Sequence, residues 1–261
     1  MINDLSAVIN INRYSLNDAS FIHHCKTKLG TDGALVLPGF LTQNAIDSIK
    51  EEGLKQKHLA YYTDNKHNIY LSDSDPGFYK DHPRNRVVSS SKGCITTDQI
   101  PDSSALKTIY DSPEFRQFMS KILEEKNLYE YADNLSSINL NYADEGQELG
   151  WHFDNSSFAI TLLIQEPELG GVFEYVKNVR DADAGEMNFD YSGKVLDGEV
   201  KVEKLAINAG DLVLFRGRNS MHRVTPVMGD ITRILVVLAY NSEPGISLSE
   251  SARMTFFGRL G

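Results

Sequence analysis

From Ser137 onward the chain is a succession of short apolar runs cut by turn residues, and this rhythm limits its fold more than any other feature. The runs are SINLNY, a stretch around Trp151, FAITLLI, GVFEYV, VKVEKLAI, DLVLF and ITRILVVLAY. Each is too short for a typical helix, and Gly146, Gly150, Gly170-Gly171, Gly210 and Gly229 stand where tight reversals are needed. At least seven strands at this spacing predict an antiparallel sandwich or jelly roll.

The part before residue 136 mixes signals. ALVLPGF (34–40) is a short apolar run closed by Pro38-Gly39. Thr42 then caps a stretch with Ile46, Ile49 and Leu54 on one face, so strand, turn and helix are expected. Ser112 as N-cap, Pro113 at the first helical position, Glu114, and Phe115, Met119, Ile122 and Leu123 at helical spacing predict a second helix. The expectation is one domain over 1–261, mainly β: a helical and strand support region at 1–135, a jelly-roll core at 136–243 braced by the N-terminal helices, and a C-terminal segment at 244–261. The acidic, Gly-punctuated stretch at 178–198 is too polar for a core strand and is expected as a surface loop or lid.

Charge and composition exclude several functions. With 36 acidic against 26 basic residues the net charge is -10, so a surface for nucleic-acid phosphates or anionic lipid is not expected. No apolar run approaches the roughly 18 residues of a membrane span. The first ten residues carry an acid where a signal peptide carries basic residues. Cys25 and Cys94 have no CxxC spacing, which predicts free thiols and a cytoplasmic location.

The sharpest motif is Gly150-Trp151-His152-Phe153-Asp154. In extended chain, alternate side chains share a face, so His152 and Asp154 point together while Trp151 is expected to pack outward against a helix. Taken alone, such a pair also fits a histidine beside a surface acid. A third ligand is available in His222 of GRNSMHRVTPV, and two imidazoles with one carboxylate hold Fe(II) with three positions open. Arg233 lies inside the apolar strand ITRILVVLAY, where burial demands either an edge position or a partner carboxylate.

Together these residues resemble the Fe(II)/2-oxoglutarate-dependent oxygenases with a double-stranded β-helix fold. The resemblance makes His152, Asp154 and His222 the catalytic metal ligands and Arg233 the binder of the far carboxylate of 2-oxoglutarate. It gives Tyr142, ten residues before His152, a second bond to the cosubstrate, as in prolyl-hydroxylase-like members. DQIPDSSALKTIY, Gly170-Gly171 and GRNSMHRVTPV are similar to the branch of radical halogenases and hydroxylases of free amino acids. Halogenating members replace the carboxylate ligand with a small residue to admit chloride. This chain keeps Asp154, which implies hydroxylation of an unactivated carbon with dioxygen as co-reactant and ascorbate as support.

The implied substrate is a free amino acid, with the acidic stretch suggesting a basic one such as lysine, or a similar small molecule. Candidate substrate contacts are Arg84, Arg86, Asn155, Asn241 and Phe256. Surface arginine, turn asparagine and simple aromatic packing fit the same residues. Two other functions remain open: a protein or peptide side-chain hydroxylase of prolyl-hydroxylase type, and a metal-binding barrel without turnover. Arg233 separates the oxygenases from the last, since a structural metal site needs no carboxylate clamp.

Overall fold

The computed structural model describes residues 4–261. The strands are β1 (Ala34–Leu37), β2 (Tyr61–Asn68), β3 (Val87–Ile95), β4 (Ile138–Ala143), β5 (Leu149–His152), β6 (Ala159–Gln165), β7 (Leu169–Gly170), β8 (Phe173–Val176), β9 (Glu203–Leu205), β10 (Leu212–Phe215), β11 (Met221–Val224), β12 (Val227–Met228) and β13 (Arg233–Leu238). The α-helices are α1 (Leu5–Val8), α2 (Ala19–Asp32), α3 (Gln43–Gln56), α4 (Ala105–Asp111), α5 (Pro113–Leu123), α6 (Phe189–Leu196) and α7 (Glu250–Phe257). All seven apolar runs read from the sequence contain strands. Thr42 and Ser112 cap α3 and α5, accepting hydrogen bonds from the Ala45 and Phe115 amides.

One antiparallel sheet runs in the order β1-β10-β6-β13-β4-β3-β5-β11-β8-β9, with β2 paired to β3. It curls over on itself. β8 and β10 are far apart in that order, yet the Phe173 and Phe215 rings meet edge-on with centroids 4.9 Å apart. This is the jelly-roll, double-stranded β-helix arrangement expected. Three of its strands, β1, β2 and β3, come from before residue 135, so the supporting region is woven into the core sheet. The β2–β3 hairpin leaves little trace in the sequence: YYTDNKHN is mostly polar and lacks the apolar alternation that marks a half-buried strand.

Strand alternation sorts the side chains. On β4 the burial follows a strict two-residue period. Ile138, Leu140 and Tyr142, with Ile234, Val236 and Leu238 of β13, join the main core with Ile49 of α3, Ile109 of α4 and Phe115 of α5. Each such fully buried aliphatic or aromatic side chain contributes about 1.5–3 kcal/mol. The helices thereby cover the outside of one half of the barrel, leaving the alternate residues to line its interior.

A second core forms outside the other half. Trp151 packs with Tyr70, Phe153, Val179, Val195 and Met221, and Val195 belongs to α6. The acidic 178–198 stretch is thus more than a loop: it holds a helix whose apolar face closes this core. Among the described residues no helix is long and apolar enough to cross a membrane.

Candidate metal and cosubstrate site

Pairing of β5 with β11 sets His152 directly opposite His222, and their ring centroids lie 4.2 Å apart. Asp154 follows β5 by two residues, its amide donating to the Gly217 carbonyl at 3.1 Å. Its Oδ1 stands 3.4 Å from His222 Nε2 and 3.8 Å from His152 Nε2. One donor atom from each residue falls within 4.8 Å of the others, and among the described residues this is the one such group of three. His152 Nδ1 lies 2.8 Å from the Gly150 carbonyl, and His222 Nδ1 lies 3.0 Å from the Ser220 carbonyl. A carbonyl only accepts, so each Nδ1 carries a proton and each Nε2 turns toward Asp154. His152 Nε2 keeps its lone pair. Burial opposes a charge on His222, but the Asp154 carboxylate pushes it up, and it hydrogen-bonds Asp154 through a proton that a metal ion would displace.

The electrostatics agree with a metal-ready site. Burial, then the neighbouring His222, push His152 down to about 3, which keeps it neutral and able to ligate. Burial opposes ionisation of Asp154, but the charges and hydrogen bond of His222, with His152 and Arg180, hold its carboxyl below the usual carboxylate range. Gly217 makes room for that carboxylate: a Cβ there would overlap it and reach within 2.9 Å of the His222 ring. Phe173 stacks on His222 at 5.5 Å and Phe215 meets it edge-on at 4.8 Å.

The triad opens into a chamber of about 300 Å³ inside the barrel, walled by Phe173, Phe215, Leu235 and Val237 and reaching Arg233. Arg233 is only 7% exposed. The sequence allowed it an edge position or a partner acid, and it has neither: among the described residues its guanidinium makes no hydrogen bond or ion pair. Burial pushes it down to about 10, so it remains a cation at neutral pH. An unpaired buried cation is costly, and a carboxylate entering the chamber would satisfy it. An outer cavity of about 710 Å³ adjoins the chamber at Lys92, Leu149 and His152, with His67, Ser90 and Phe256 in its wall.

The other expected contacts divide. Tyr142 faces away from the chamber: it is fully buried in the helix-side core, and its hydroxyl donates to the Gly53 carbonyl at 2.7 Å. The cause is the β4 period, which places Tyr142 with Ile138 and Leu140. Arg86 is committed to Asp197 at 2.6 Å. Arg84 lies over the Tyr70 ring at 5.5 Å and lines neither cavity. Asn241 pairs by backbone with Tyr129 and also lines neither. Asn155 does line the chamber, and Phe256 lines the outer cavity. Trp151 packs outward as expected. Of the arginines flanking His222, Arg218 pairs with Asp183, and Arg223 pairs with Glu174 over the Trp151 ring.

Sequence reasoning missed Lys92, Gly217 and Arg180. Arg180 lies 4.1 Å over the Phe153 ring, and its Nε donates to the Arg218 carbonyl at 2.8 Å. The only signal for Gly217 was its place in the RGRN turn before His222. Lys92 sits in a polar segment with no pattern to distinguish it.

A curled antiparallel sheet whose interior chamber is lined by a His-Asp-His triad and a buried, unpartnered guanidinium defines the 2-oxoglutarate-Fe(II) oxygenase class. The sequence profile of Halogenase D matches residues 17–255, and the chain belongs to that family. No curated protein matches the chain. Its fold is similar to a 2OG-Fe(II) oxygenase family oxidoreductase from Burkholderia pseudomallei (12% identity, 87% of this chain and 93% of that one, TM-score 0.55). It is also similar to the Trichoplax adhaerens prolyl hydroxylase solved with a hypoxia inducible factor peptide (14%, 85% and 90%, TM-score 0.54). A third similar structure is the epimerase SnoN in complex with Fe3+, alpha ketoglutarate and nogalamycin RO (10%, 85% and 84%, TM-score 0.58). Fe(II) and 2-oxoglutarate are the cofactors of this class, and the two inward Nε2 atoms, the carboxylate and the unpaired Arg233 fit them.

Proposed function

We propose that the protein is an Fe(II)- and 2-oxoglutarate-dependent dioxygenase that hydroxylates an unactivated carbon of a free amino acid or similar small molecule. His152, Asp154 and His222 hold the metal and Arg233 holds the far carboxylate of 2-oxoglutarate. The observation that carries the choice of hydroxylation is Asp154, whose carboxylate fills the third ligand position beside both histidines at 3.4 and 3.8 Å. In halogenating members a small residue leaves that position to chloride; here the carboxylate occupies it.

Fe(II) with bound 2-oxoglutarate supplies the oxidising power, drawn from dioxygen. The chain's own residues position and enclose. The hydrogen bonds from each Nδ1 fix the imidazole planes, and Phe173 and Phe215 brace the His222 ring. Leu235 and Val237 give the inner chamber an apolar wall, and Arg233 sets the cosubstrate's orientation. The inner chamber's small volume, about 300 Å³, supports a small molecule over a peptide. No residue of 178–198 lines either cavity, and two of its acids, Asp183 and Asp197, are paired with Arg218 and Arg86. A basic substrate side chain would therefore draw no direct contact from that stretch.

The test is succinate release from Fe(II), 2-oxoglutarate and ascorbate, screened against the common amino acids and then against peptides. A hydroxylated amino acid with stoichiometric succinate is the expected result, abolished in Asp154→Ala and His222→Ala. A mutant with full turnover would overturn the ligand assignment, and turnover with peptides alone would overturn the substrate class.

A further inference from the structure

Two cations face the chamber, and only one has a role so far. Lys92 lines it together with Arg233, and among the described residues the Lys92 ammonium makes no hydrogen bond or ion pair. Strand register relates the two. Gly93 pairs with Tyr142, and Ala143 pairs with Arg233. Gly93 and Tyr142 face outward, since the Tyr62 ring covers Gly93 and the Tyr142 hydroxyl reaches Gly53. Alternation then turns Lys92 and Ala143, one position along each strand, toward the interior with Arg233.

On β4, between the two cationic strands, the inward residue at this level is therefore alanine, whose methyl leaves the space above it open. Backbones two strands apart are separated by about 10 Å, a span across which a lysine and an arginine side chain can reach a common point. Arg233 is buried without a partner, and the part-buried Lys92 on the same inner wall has none either, so an anion placed between them would pair with both. Asp154 is committed to the histidines. The proposed reaction brings in the far carboxylate of 2-oxoglutarate and the substrate's own acid group, and the first is the one held at Arg233.

We infer that Lys92 is a second cationic partner of that carboxylate, shared with Arg233 across Ala143, in the place where a tyrosine was expected. This rests on the oxygenase function proposed above. Lys92 also borders the outer cavity, so the rival role is an anchor for the substrate's own acid group.

Anaerobic titration of the Fe(II)-loaded protein, followed by the visible charge-transfer band of the keto-acid complex, separates these. The probes are 2-oxoglutarate and pyruvate, which shares the chelating keto acid but lacks the far carboxylate. Lys92→Met is expected to weaken 2-oxoglutarate by about tenfold or more, the loss typical of a charged hydrogen bond. Pyruvate should bind as it does to the wild type, and Lys92→Arg should restore most of the 2-oxoglutarate affinity. Unchanged 2-oxoglutarate binding in Lys92→Met overturns the inference in favour of the rival role, and equal loss of both probes overturns it in favour of a structural one. If the wild type gives no band with either probe, the protein is not an oxygenase of this type and the inference falls with that assignment.

Discussion

Gly217 and the Asp154 carboxylate compete for one space, because a Cβ on residue 217 would overlap the Asp154 side chain and press on the His222 ring. The φ of Gly217 is not positive, so the position demands an absent side chain rather than an unusual backbone. Gly217→Ala should push the carboxylate off the point where the two Nε2 atoms converge. The expected outcome is a loss of Fe(II) affinity of about 10–100-fold, the scale of changes to groups that orient a metal ligand. Fe(II) titration checks it, with the far-UV circular dichroism spectrum retained.

The Gly170-Gly171 turn bears on the other end of the chamber. Gly171 has φ +59°, and a Cβ there would come within 2.9 Å of Arg233 Cδ. Gly171→Ala therefore combines left-handed strain of about 1–2 kcal/mol with displacement of the guanidinium stem. Affinity for 2-oxoglutarate should fall several-fold while Fe(II) affinity stays the same. Parallel titrations of the two ligands decide, and equal affinity for 2-oxoglutarate would mean that the guanidinium does not depend on this turn.

Tyr142→Phe removes only the hydrogen bond to the Gly53 carbonyl. Leaving that buried acceptor unpaired should cost about 1–3 kcal/mol of stability, read as a lower urea midpoint. Binding of 2-oxoglutarate should not change. Weaker cosubstrate binding would return Tyr142 to the chamber.

Burial pushes the Cys94 thiol, and likewise the Cys25 thiol, up to about 11. Thiolate is the reactive form, so two pKa steps above an ordinary thiol mean about 100-fold less of it at neutral pH. Both cysteines should resist alkylation in the native protein and react readily in urea. The sign of the stability effect follows from the same shift. A raised folded pKa favours the protonated thiol, so its contribution is complete below about pH 9 and is lost as pH rises toward 11. Melting temperatures measured across that window should fall more steeply for the wild type than for a Cys25→Ala/Cys94→Ala variant.

Much of this was legible along the chain. The seven apolar runs became strands because a half-buried strand needs little more than alternation and a turn at each end. His152 and Asp154 come together for the same reason, since two-residue spacing delivers an imidazole and a carboxylate to one side whatever surrounds them. Tyr142 shows the limit of spacing by itself. Its distance from His152 suited a cosubstrate contact, but its alternation partners Ile138 and Leu140 are apolar, and that places it on the helix-covered face. The signal was present in INLNYA and outweighs the spacing. Arg84 and Arg86 misled differently, because an acid from a distant helix-bearing segment, Asp197, claimed one and the Tyr70 ring the other.

By itself the sequence determined the strand-rich class, the caps of α3 and α5, and the placing of His152 and Asp154 on one side of a strand, all of which depend on neighbours a few positions apart; His222 and Arg233 were legible only through the family resemblance. Only the tertiary structure decided that His222 lies opposite His152, that Gly217 yields its space to Asp154, and that Lys92 shares an inner wall with Arg233. Those relations depend on which strands pair, in what register, and how tightly the sheet curls. They arise from hydrogen bonding and packing between segments far apart in the chain, which local periodicity does not encode.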